Sequence, residues 1–266
     1  MTDNSEDQLL PRNLSGQRVG LLVTCLVDFY RPNIGFATIK LLQQAGYEVD
    51  VPDRQTCCGQ PAYNSGDYAT AAKIARQVIM LFEDYDYVVV PSGSCASMLK
   101  DFPRLFESVP EWQERAISLA ERTWELLSFL TDVCGVTSLA SDYTGKITYH
   151  DSCTGLRQLG ISSQPRMLLQ SLAGLQLIEM PDSDTCCGFG GTFCVKYPAI
   201  SGRMVMDKVN NIMTTGADTV AGGDLGCLLN IAGRLQHARH KVKVFHIAEI
   251  LADMADIPGL GEGETD

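Results

Sequence analysis

The sequence predicts an α/β protein that is internally duplicated, with two β-α-β-α-β halves and mainly parallel sheets. Two observations support this prediction: a cysteine pattern that occurs twice, and an order of predicted strands and helices that repeats with it. Alternation of strands and helices favours a parallel sheet, because each helix carries the chain back to begin the next strand. Sites in such sheets gather beyond the carboxyl ends of the strands. The repeated cysteines are expected at that edge.

The cysteine pattern consists of a lone cysteine, a Cys-Cys-Gly triplet and a further lone cysteine. Eight of the ten cysteines fall into two matched sets of four, Cys25, Cys57, Cys58 and Cys95 in the first half and Cys153, Cys186, Cys187 and Cys227 in the second. Corresponding cysteines lie 128 residues apart at the first position, 129 at the pair and 132 at the last. Such a small drift indicates a duplicated scaffold with a few inserted loop residues.

Each half is predicted to run through the same elements. A short apolar strand leads to the first cysteine, and then come a helix, a second strand, the Cys-Cys-Gly loop, a longer helix and a third strand. In the first half these elements are strand 19–24, helix 36–45, strand 47–51, helix 69–82 and strand 87–90. In the second half they are strand 146–150, helix 165–172, strand 175–180, helix 199–214 and strand 218–221.

The domain limits follow from the repeat. The first repeat with a helical extension is expected at 17–134 and the second repeat at 146–253, with disordered tails at 1–16 and 258–266. A helix is predicted in the extension at 111–130, followed by a linker at 135–145. A final strand with its helix is predicted at 241–251.

Composition narrows the classes of function. A net charge of −11 with no basic stripe argues against nucleic-acid binding. No apolar run approaches the ~20 residues of a membrane span, and the acidic N-terminus is the opposite of a signal peptide. A cytoplasmic protein is therefore expected. Peripheral attachment to the inner face of the membrane, through partner proteins, is an open alternative. Because a reducing cytosol disfavours disulfides, ten thiols indicate metal or redox chemistry.

The adjacent cysteines favour a centre with several metal atoms over a single ion. Zinc is normally held by Cys-x₂₋₄-Cys pairs, and no Cys-x-x-Cys occurs in this chain. Side chains of neighbouring residues diverge in extended backbone, so each sulfur can reach a different iron. One or two iron–sulfur clusters are predicted. Structural zinc, buried thiols and vicinal disulfide chemistry remain as alternatives.

Several stretches around these cysteines resemble the cysteine-rich CCG-domain family of iron–sulfur proteins, over roughly residues 17–252. The stretches that carry the resemblance are 57–62, 91–95, 185–193, 227–231 and 246–249. The family motif is a lone cysteine, a Cys-Cys-Gly triplet and then a Cys-x-x-Cys pair. The resemblance implies that all eight matched cysteines are metal ligands.

The function that the resemblance implies is an iron–sulfur electron-transfer subunit of a multi-subunit complex that oxidises L-lactate to pyruvate. The implied partners are a ferredoxin-type iron–sulfur subunit and a further subunit, and such an oxidoreductase subunit is expected to be inactive alone. The alternatives are a glycolate-oxidase-like or heterodisulfide-reductase-like iron–sulfur subunit and, in a different class, a zinc-stapled structural or interaction protein. Because the chain lacks G-x-G-x-x-G and a phosphate loop, electrons must come from another subunit or from a substrate. No catalytic residue is predicted.

The chain departs from the family motif at two corresponding positions. Ser92 and Asp224 stand where the fullest motif has the first cysteine of Cys-x-x-Cys, so each set has four thiolates rather than five. Four are enough for a conventional cluster, so the resemblance implies one or two clusters of the [4Fe–4S] type. Asp224 or Ser92 is an alternative oxygen ligand, with Asp224 the better candidate. Loss of a cluster from one or both halves also stays open.

Four further residues are candidates for a supporting role. Cys134 and Cys194 fall outside the matched sets and are expected to be buried as small apolar residues. Cys194 is the better candidate for a supplementary ligand because it lies seven residues after Cys187. His150 and His246 could donate hydrogen bonds to a cluster or carry protons; the alternative is that the backbone satisfies both as loop or cap residues.

Overall fold

The structure is a computed structural model that describes residues 16–262. The tails predicted at 1–16 and 258–266 lie mostly outside the described residues, which exclude 1–15 and 263–266. In chain order, the first half contains β1 (Arg18–Leu21), α1 (Cys25–Tyr30), α2 (Asn33–Gln44), β2 (Glu48–Asp50), α3 (Gln60–Asn64), α4 (Tyr68–Phe82), β3 (Tyr87–Val90), α5 (Gly93–Asp101), a 3-10 helix (Phe102–Phe106), α6 (Pro110–Arg122), β4 (Thr123–Glu125), α7 (Leu126–Ser128) and a π-helical segment (Phe129–Val133).

The second half repeats the pattern with small differences in length. It contains β5 (Gly145–His150), α8 (Cys153–Leu159), α9 (Ser163–Gln170), β6 (Leu175–Leu177), α10 (Phe193–Lys196), α11 (Pro198–Thr214), β7 (Thr219–Gly222), α12 (Leu225–His237), β8 (Lys243–His246) and α13 (Ile247–Leu251). We propose 17–134 and 146–253 as the limits of the two repeats. Residues 135–144, between them, form no helix or strand.

Between residues 16 and 262 the strands form two four-stranded sheets with the same topology. Their orders are β2-β1-β3-β4 and β6-β5-β7-β8, and every strand pair is parallel. The register also matches: Val19 lies opposite Tyr87 in the first sheet, and Ile147 lies opposite Thr219 in the second. The predicted duplicated α/β fold with mainly parallel sheets is confirmed.

The region predicted to be helical over 111–130 is helical except at three residues. Helix α6 ends at Arg122, and Thr123–Glu125 form the edge strand β4, which pairs with β3. Thr and Trp favour strands over helices, and the Thr123 hydroxyl donates to the Leu119 carbonyl at the helix end. The strand and helix predicted over 241–251 are confirmed as β8 and α13.

Two other segments differ from the sequence expectation. The helix predicted to begin at residue 36 begins at Asn33, and it is preceded by α1, a helix too short to show a clear apolar period. The tail predicted from residue 258 is packed as far as residue 262. Leu260 is buried there, and its N–H donates to the Val244 carbonyl.

A continuous apolar core joins the two halves. Buried side chains from both sheets belong to one cluster, which includes Val19 and Val89 from the first sheet and Ile147 and Val220 from the second. A second cluster, with Phe82 among its members, contains buried residues of the first half only. Apolar burial is the main favourable term in folding. The shared cluster therefore holds the two sheets together.

A buried ion pair crosses between the halves. The Arg31 Nε donates to the Glu249 Oε1 over 2.7 Å, and the Asn33 side-chain amide donates to the same oxygen over 2.8 Å. The other oxygen of Glu249 accepts the His246 N–H at the start of α13. The Glu249 side chain is fully buried. Removing a partner from such a carboxylate leaves an uncompensated charge in the interior.

Glu125 is a buried carboxyl at the end of β4. Its Oε2 accepts the N–H groups of Leu127 and Ser128 and so caps α7. Burial, which outweighs these hydrogen bonds, raises the pKa of Glu125 to about 8. The folded protein therefore binds a proton at this site at pH values where the unfolded chain has released it.

We predict that Arg31→Met lowers the free energy of unfolding by about 3–5 kcal/mol, because Glu249 stays buried without its cation. Urea unfolding of the purified protein measures the change. The matched control is Arg203→Met, since Arg203 pairs with Asp207 at the exposed surface and should contribute less than about 1 kcal/mol. Equal effects of the two substitutions would contradict the structural role of the buried pair.

Glu125 should make stability depend on pH. Its folded pKa lies above the ordinary value of 4.5, so its contribution is complete below pH 4.5 and is lost as the pH rises through 8. Between pH 5 and 8, wild type should lose roughly 3 kcal/mol relative to Glu125→Gln, at about 1.4 kcal/mol per pKa unit. Urea unfolding at the two pH values tests this. The exposed Glu121→Gln serves as the control, and a constant difference between Glu125→Gln and wild type would refute the prediction.

Candidate functional site

The four cysteines of the first set converge beyond the carboxyl edge of the first sheet. Cys25 is the first residue of α1, Cys95 lies in the first turn of α5, and the adjacent pair lies in the loop after β2. The Cys58 and Cys95 sulfurs are 3.2 Å apart. Cys57 lies in hydrogen-bond contact with both Cys25 and Cys58. The predicted first set is thus brought together in space.

The second set has the same arrangement. Cys153 is the first residue of α8 and Cys227 lies in the first turn of α12. Thiol contacts link Cys153 to Cys186, and Cys187 to both Cys186 and Cys227. In both sets the N–H groups of two helix first turns lie beside the sulfurs. Such N–H groups carry partial positive charge and favour thiolates or an anionic group.

The glycine of each triplet is required by its backbone conformation. Gly59 has a φ of 86° and Gly188 a φ of 82°, values that side chains disfavour. At Gly188 a Cβ would also lie 2.7 Å from the Ser201 carbonyl oxygen. Both glycines donate their N–H to the sulfur two residues earlier, Cys57 or Cys186, over 3.4 Å. The Cys-Cys-Gly turn therefore holds its first sulfur in a fixed position.

The thiols of the first set share protons instead of ionising together. Hydrogen bonds from Cys25 and Cys58, with the Gly59 N–H, hold the pKa of Cys57 well below its usual range. The hydrogen bond to Cys57 together with burial raises the pKa of Cys25 and of Cys58. Neighbouring thiolates repel one another. All four sulfurs can act as ligands only around positive charge, which a soft metal supplies.

Each set of sulfurs lines its own cavity. All four thiols of the first set line a cavity of about 200 Å³, and all four of the second line one of about 300 Å³. Each cavity is completed by residues of the other half: Phe189 and Val195 at the first, Gln60 and Tyr63 at the second. A water molecule needs only about 15 Å³ by this measure. Both cavities therefore have room for a group much larger than one ion.

The spacing of the sulfurs also differs from that of a single-ion site. A tetrahedral zinc with four thiolates at ~2.3 Å holds its sulfurs about 3.8 Å apart. Within residues 16–262, only His150, Cys187 and Cys227 form a group of three potential ligands within 4.8 Å of one another. Neither set of four thiols is gathered that tightly. The described residues therefore show no preformed site in which four thiolates surround one ion.

Ser92 and Asp224, the residues at the position of the missing fifth cysteine, meet each other across the two halves. They are 132 residues apart, the same interval as Cys95 and Cys227. The Ser92 hydroxyl and the Ser94 N–H both donate to the Asp224 Oδ2, over 3.1 and 3.0 Å. Asp224 lines both cavities. It thus lies between the two sites, with one oxygen occupied by the contact between the halves.

The second site has a buried cation that was not predicted. Lys208 is fully buried in α11, and its ammonium donates to the carbonyls of Asp182 and Ser183 over 3.1 and 2.9 Å. Burial lowers the pKa of Lys208, and the nearby Cys187 sulfur opposes this shift. The ammonium can offset negative charge at this site. One sequence signal was missed: Lys208 stands among the apolar positions of this helix, three residues after Val205 and one before Val209.

His150 has no hydrogen-bond partner within the described part of the chain, although it is buried. Burial, followed by the charge of Lys208, lowers its pKa to about 3, so the imidazole is neutral. His246 instead caps α13 by accepting the Ala248 N–H at Nδ1. The structure therefore favours the cap alternative for His246 and leaves His150 without a structural role.

The two unmatched cysteines lie outside the sets. Cys134 packs against the shared core, and burial raises its pKa to about 11. Cys194 is half-buried in α10, where its thiol contacts the Gly191 carbonyl over 3.5 Å. Neither takes part in the thiol contacts described above.

The comparison with known protein families agrees with this geometry. A family model described as a cysteine-rich domain, CCG, matches the chain twice, at residues 19–100 and 147–232. The two matches contain all eight cysteines of the two sets and most of both sheets. The chain belongs to the CCG cysteine-rich domain family.

Particular relatives are similar over nearly their whole length. Lactate utilization protein A of Oceanobacillus iheyensis is 47% identical over 234 residues, which are 88% of this chain and 96% of that protein. The proteins of the same name from Bacillus cytotoxicus and from a Geobacillus species are also 47% identical, and the matches cover 88% of this chain and 98% of each relative.

Among solved structures, a hypothetical protein from Helicobacter pylori has a similar fold. The TM-score is 0.66 at 9% sequence identity, over 91% of this chain and 50% of that chain. This chain thus spans about half the length of that structure, and the likeness concerns the fold alone. In addition, no helix between residues 16 and 262 is long and apolar enough to cross a membrane.

Proposed function

We propose that this chain is an iron–sulfur electron-transfer subunit of a multi-subunit complex that oxidises L-lactate to pyruvate. The observation that carries the proposal is the convergence of four thiols on a separate cavity in each half. The name of the relatives, lactate utilization protein A, supports the assignment to lactate.

The residues fit iron–sulfur clusters in donor type and in room. The eight matched cysteines would hold two [4Fe–4S] clusters, with Asp224 as an alternative oxygen ligand at the second site. Thiolates are the usual ligands of such clusters, which supply one-electron transfer when bound. Adjacent helix N-termini and the N–H groups of Gly59 and Gly188 face the sulfurs, where they stabilise negative charge.

The rest of the lactate reaction requires other subunits. Oxidation of the lactate hydroxyl to a carbonyl releases two electrons and two protons, and the chain has no G-x-G-x-x-G or phosphate loop for a redox nucleotide. We propose a ferredoxin-type iron–sulfur subunit and a further subunit as partners. The chain alone is then an electron carrier without lactate-oxidising activity.

Apolar surface around the first site supports contact with a partner there. Phe29 is 78% exposed and lines an open cavity of about 510 Å³ together with Cys25 and Cys57. Val195, which lines the smaller cavity of the same site, is 79% exposed. Exposed apolar residues next to a site commonly mark a protein contact. A partner bound here would lie close to the first set of sulfurs.

Metal analysis of protein purified without oxygen tests the cofactor. We expect about four iron and four sulfide per site, with Cys57→Ser and Cys186→Ser each removing about half of both. The control is Cys134→Ser, which should change neither content because Cys134 packs in the core. Stoichiometric zinc without sulfide would overturn the iron–sulfur assignment.

Activity measurements test the assignment to lactate. The chain alone should reduce an artificial acceptor with L-lactate at a negligible rate, since it lacks a site for lactate oxidation. Adding the partner subunits should produce lactate-dependent reduction of this chain's clusters. The change in the visible absorption of the clusters measures this reduction. Glycolate is the comparison electron donor, and a heterodisulfide is tested as an electron acceptor for the reduced clusters. Faster cluster reduction with glycolate, or cluster reoxidation by the heterodisulfide, would favour the corresponding alternative.

A further inference from the structure

Lys208 is a fully buried cation without an anionic partner. Its ammonium reaches three neutral acceptors, the Asp182 and Ser183 carbonyls and the Met180 sulfur. The ion pairs found within residues 16–262 do not include Lys208. A buried charge is costly unless a charge of opposite sign lies close to it. Negative charge is therefore expected beside Lys208.

The sulfurs of the second set are placed to carry that negative charge. Ser201, Val205 and Lys208 lie on one buried face of α11. This face packs against the second triplet, because a Cβ at Gly188 would lie 2.7 Å from the Ser201 carbonyl oxygen. The two carbonyls that hold the ammonium belong to the segment that leads into the triplet. Burial lowers the pKa of Lys208, and the Cys187 sulfur opposes this shift more than any other charge. The ammonium therefore lies close to Cys187.

The first site has no counterpart of this charge. Lys208 corresponds to Val78, because the buried positions of α4 and α11 are 130 residues apart throughout. Another buried position lies three residues before the first cysteine of each set, where the first half has Leu22 and the second has His150. Burial lowers the pKa of His150 to about 3, so this imidazole is neutral. Of these two differences, only Lys208 changes the charge.

The carboxylates near Lys208 do not cancel this difference. Asp151 forms two hydrogen bonds with the Arg166 guanidinium and is paired by it. Asp184 is exposed, so solvent screens its charge. Asp224 lines both cavities, so its charge acts on both sites. Lys208 therefore remains an unpaired charge that the second site has and the first lacks.

We propose that Lys208 is the counter-charge of the second metal centre and raises the reduction potential of that centre. This inference rests on the proposed function, since it takes the second site to hold an iron–sulfur cluster. Reduction adds one negative charge to such a cluster, and a fixed positive charge nearby stabilises the reduced form more than the oxidised form. The ammonium acts across the Cys187 sulfur and is not a ligand. An electron is then held more favourably at the second centre than at the first.

Redox titration of the full-length protein, purified without oxygen, tests this role. Cys57→Ser removes the signal of the first site, so paramagnetic resonance follows the second centre alone. Lys208→Gln in this background removes the charge and keeps an N–H donor for the two carbonyls. The equilibrium constant for reduction should fall about tenfold or more, and a tenfold fall is a downward shift of about 59 mV for one electron. Lys208→Arg, which keeps the charge, should leave the potential close to that of the Cys57→Ser parent.

The matched control is Arg203→Gln, which removes a charge of the same sign from the exposed surface of the same helix. Water and salt screen that charge, so the potential should shift little. Full iron and sulfide with an unchanged potential in Lys208→Gln would overturn the role of Lys208 and leave the proposed function standing. Equal shifts in Lys208→Gln and Arg203→Gln would also contradict a specific role of the buried charge.

A comparison of the two centres decides the matter if Lys208→Gln loses the second cluster. Cys57→Ser leaves the second centre and Cys186→Ser leaves the first, with Lys208 intact in both. The second centre should have the higher reduction potential, and an equal or lower potential there would overturn the inference. Absence of iron and sulfide from the wild type and from every variant would overturn the proposed function itself.

Discussion

Four thiols converge at the carboxyl edge of each parallel sheet, and the chemistry of both sites depends on this convergence. Parallel strands end at a common edge of the sheet, and the helices that follow them begin there. Cysteines that are distant in sequence therefore lie close together at this edge. Four thiolates at such short range repel one another. The protein atoms lessen this repulsion with helix N-termini and glycine N–H groups, and a bound soft cation removes it. Fold and cofactor chemistry are thus linked through the electrostatics of sulfur.

Duplication gives two sites, and the contact between the halves makes them depend on each other. The shared apolar core and the buried pair of Arg31 and Glu249 fix the relative position of the sheets. Near the sulfurs, Asp224 receives hydrogen bonds from Ser92 and Ser94 of the first half. Phe189 lines both cavities. Each half therefore completes the site of the other.

The two sites are similar in their cysteines and different in their surroundings. Leu22 and Val78 make the first site aliphatic, whereas the corresponding His150 and Lys208 bring an imidazole and an ammonium close to the second. Cysteine ligands determine what kind of centre is bound, and the neighbouring charges and hydrogen bonds adjust its potential. Under the proposed function, two unequal centres would give electron flow a direction, whereas two equal centres would not.

The sequence by itself determined the duplicated α/β fold, the two cysteine sets and their position at the strand ends. These follow from local signals: short apolar strands, helical periodicity, and triplets whose glycine must adopt a positive φ. The edge strand β4 was not predicted, because its three residues have helical sequence on both sides. Its strand conformation is stabilised by pairing with β3, which is a tertiary contact. The roles of His150, Lys208 and Glu125 were decided by tertiary structure alone. A titratable side chain looks the same in sequence whether water or protein surrounds it, and burial is a property of the whole fold.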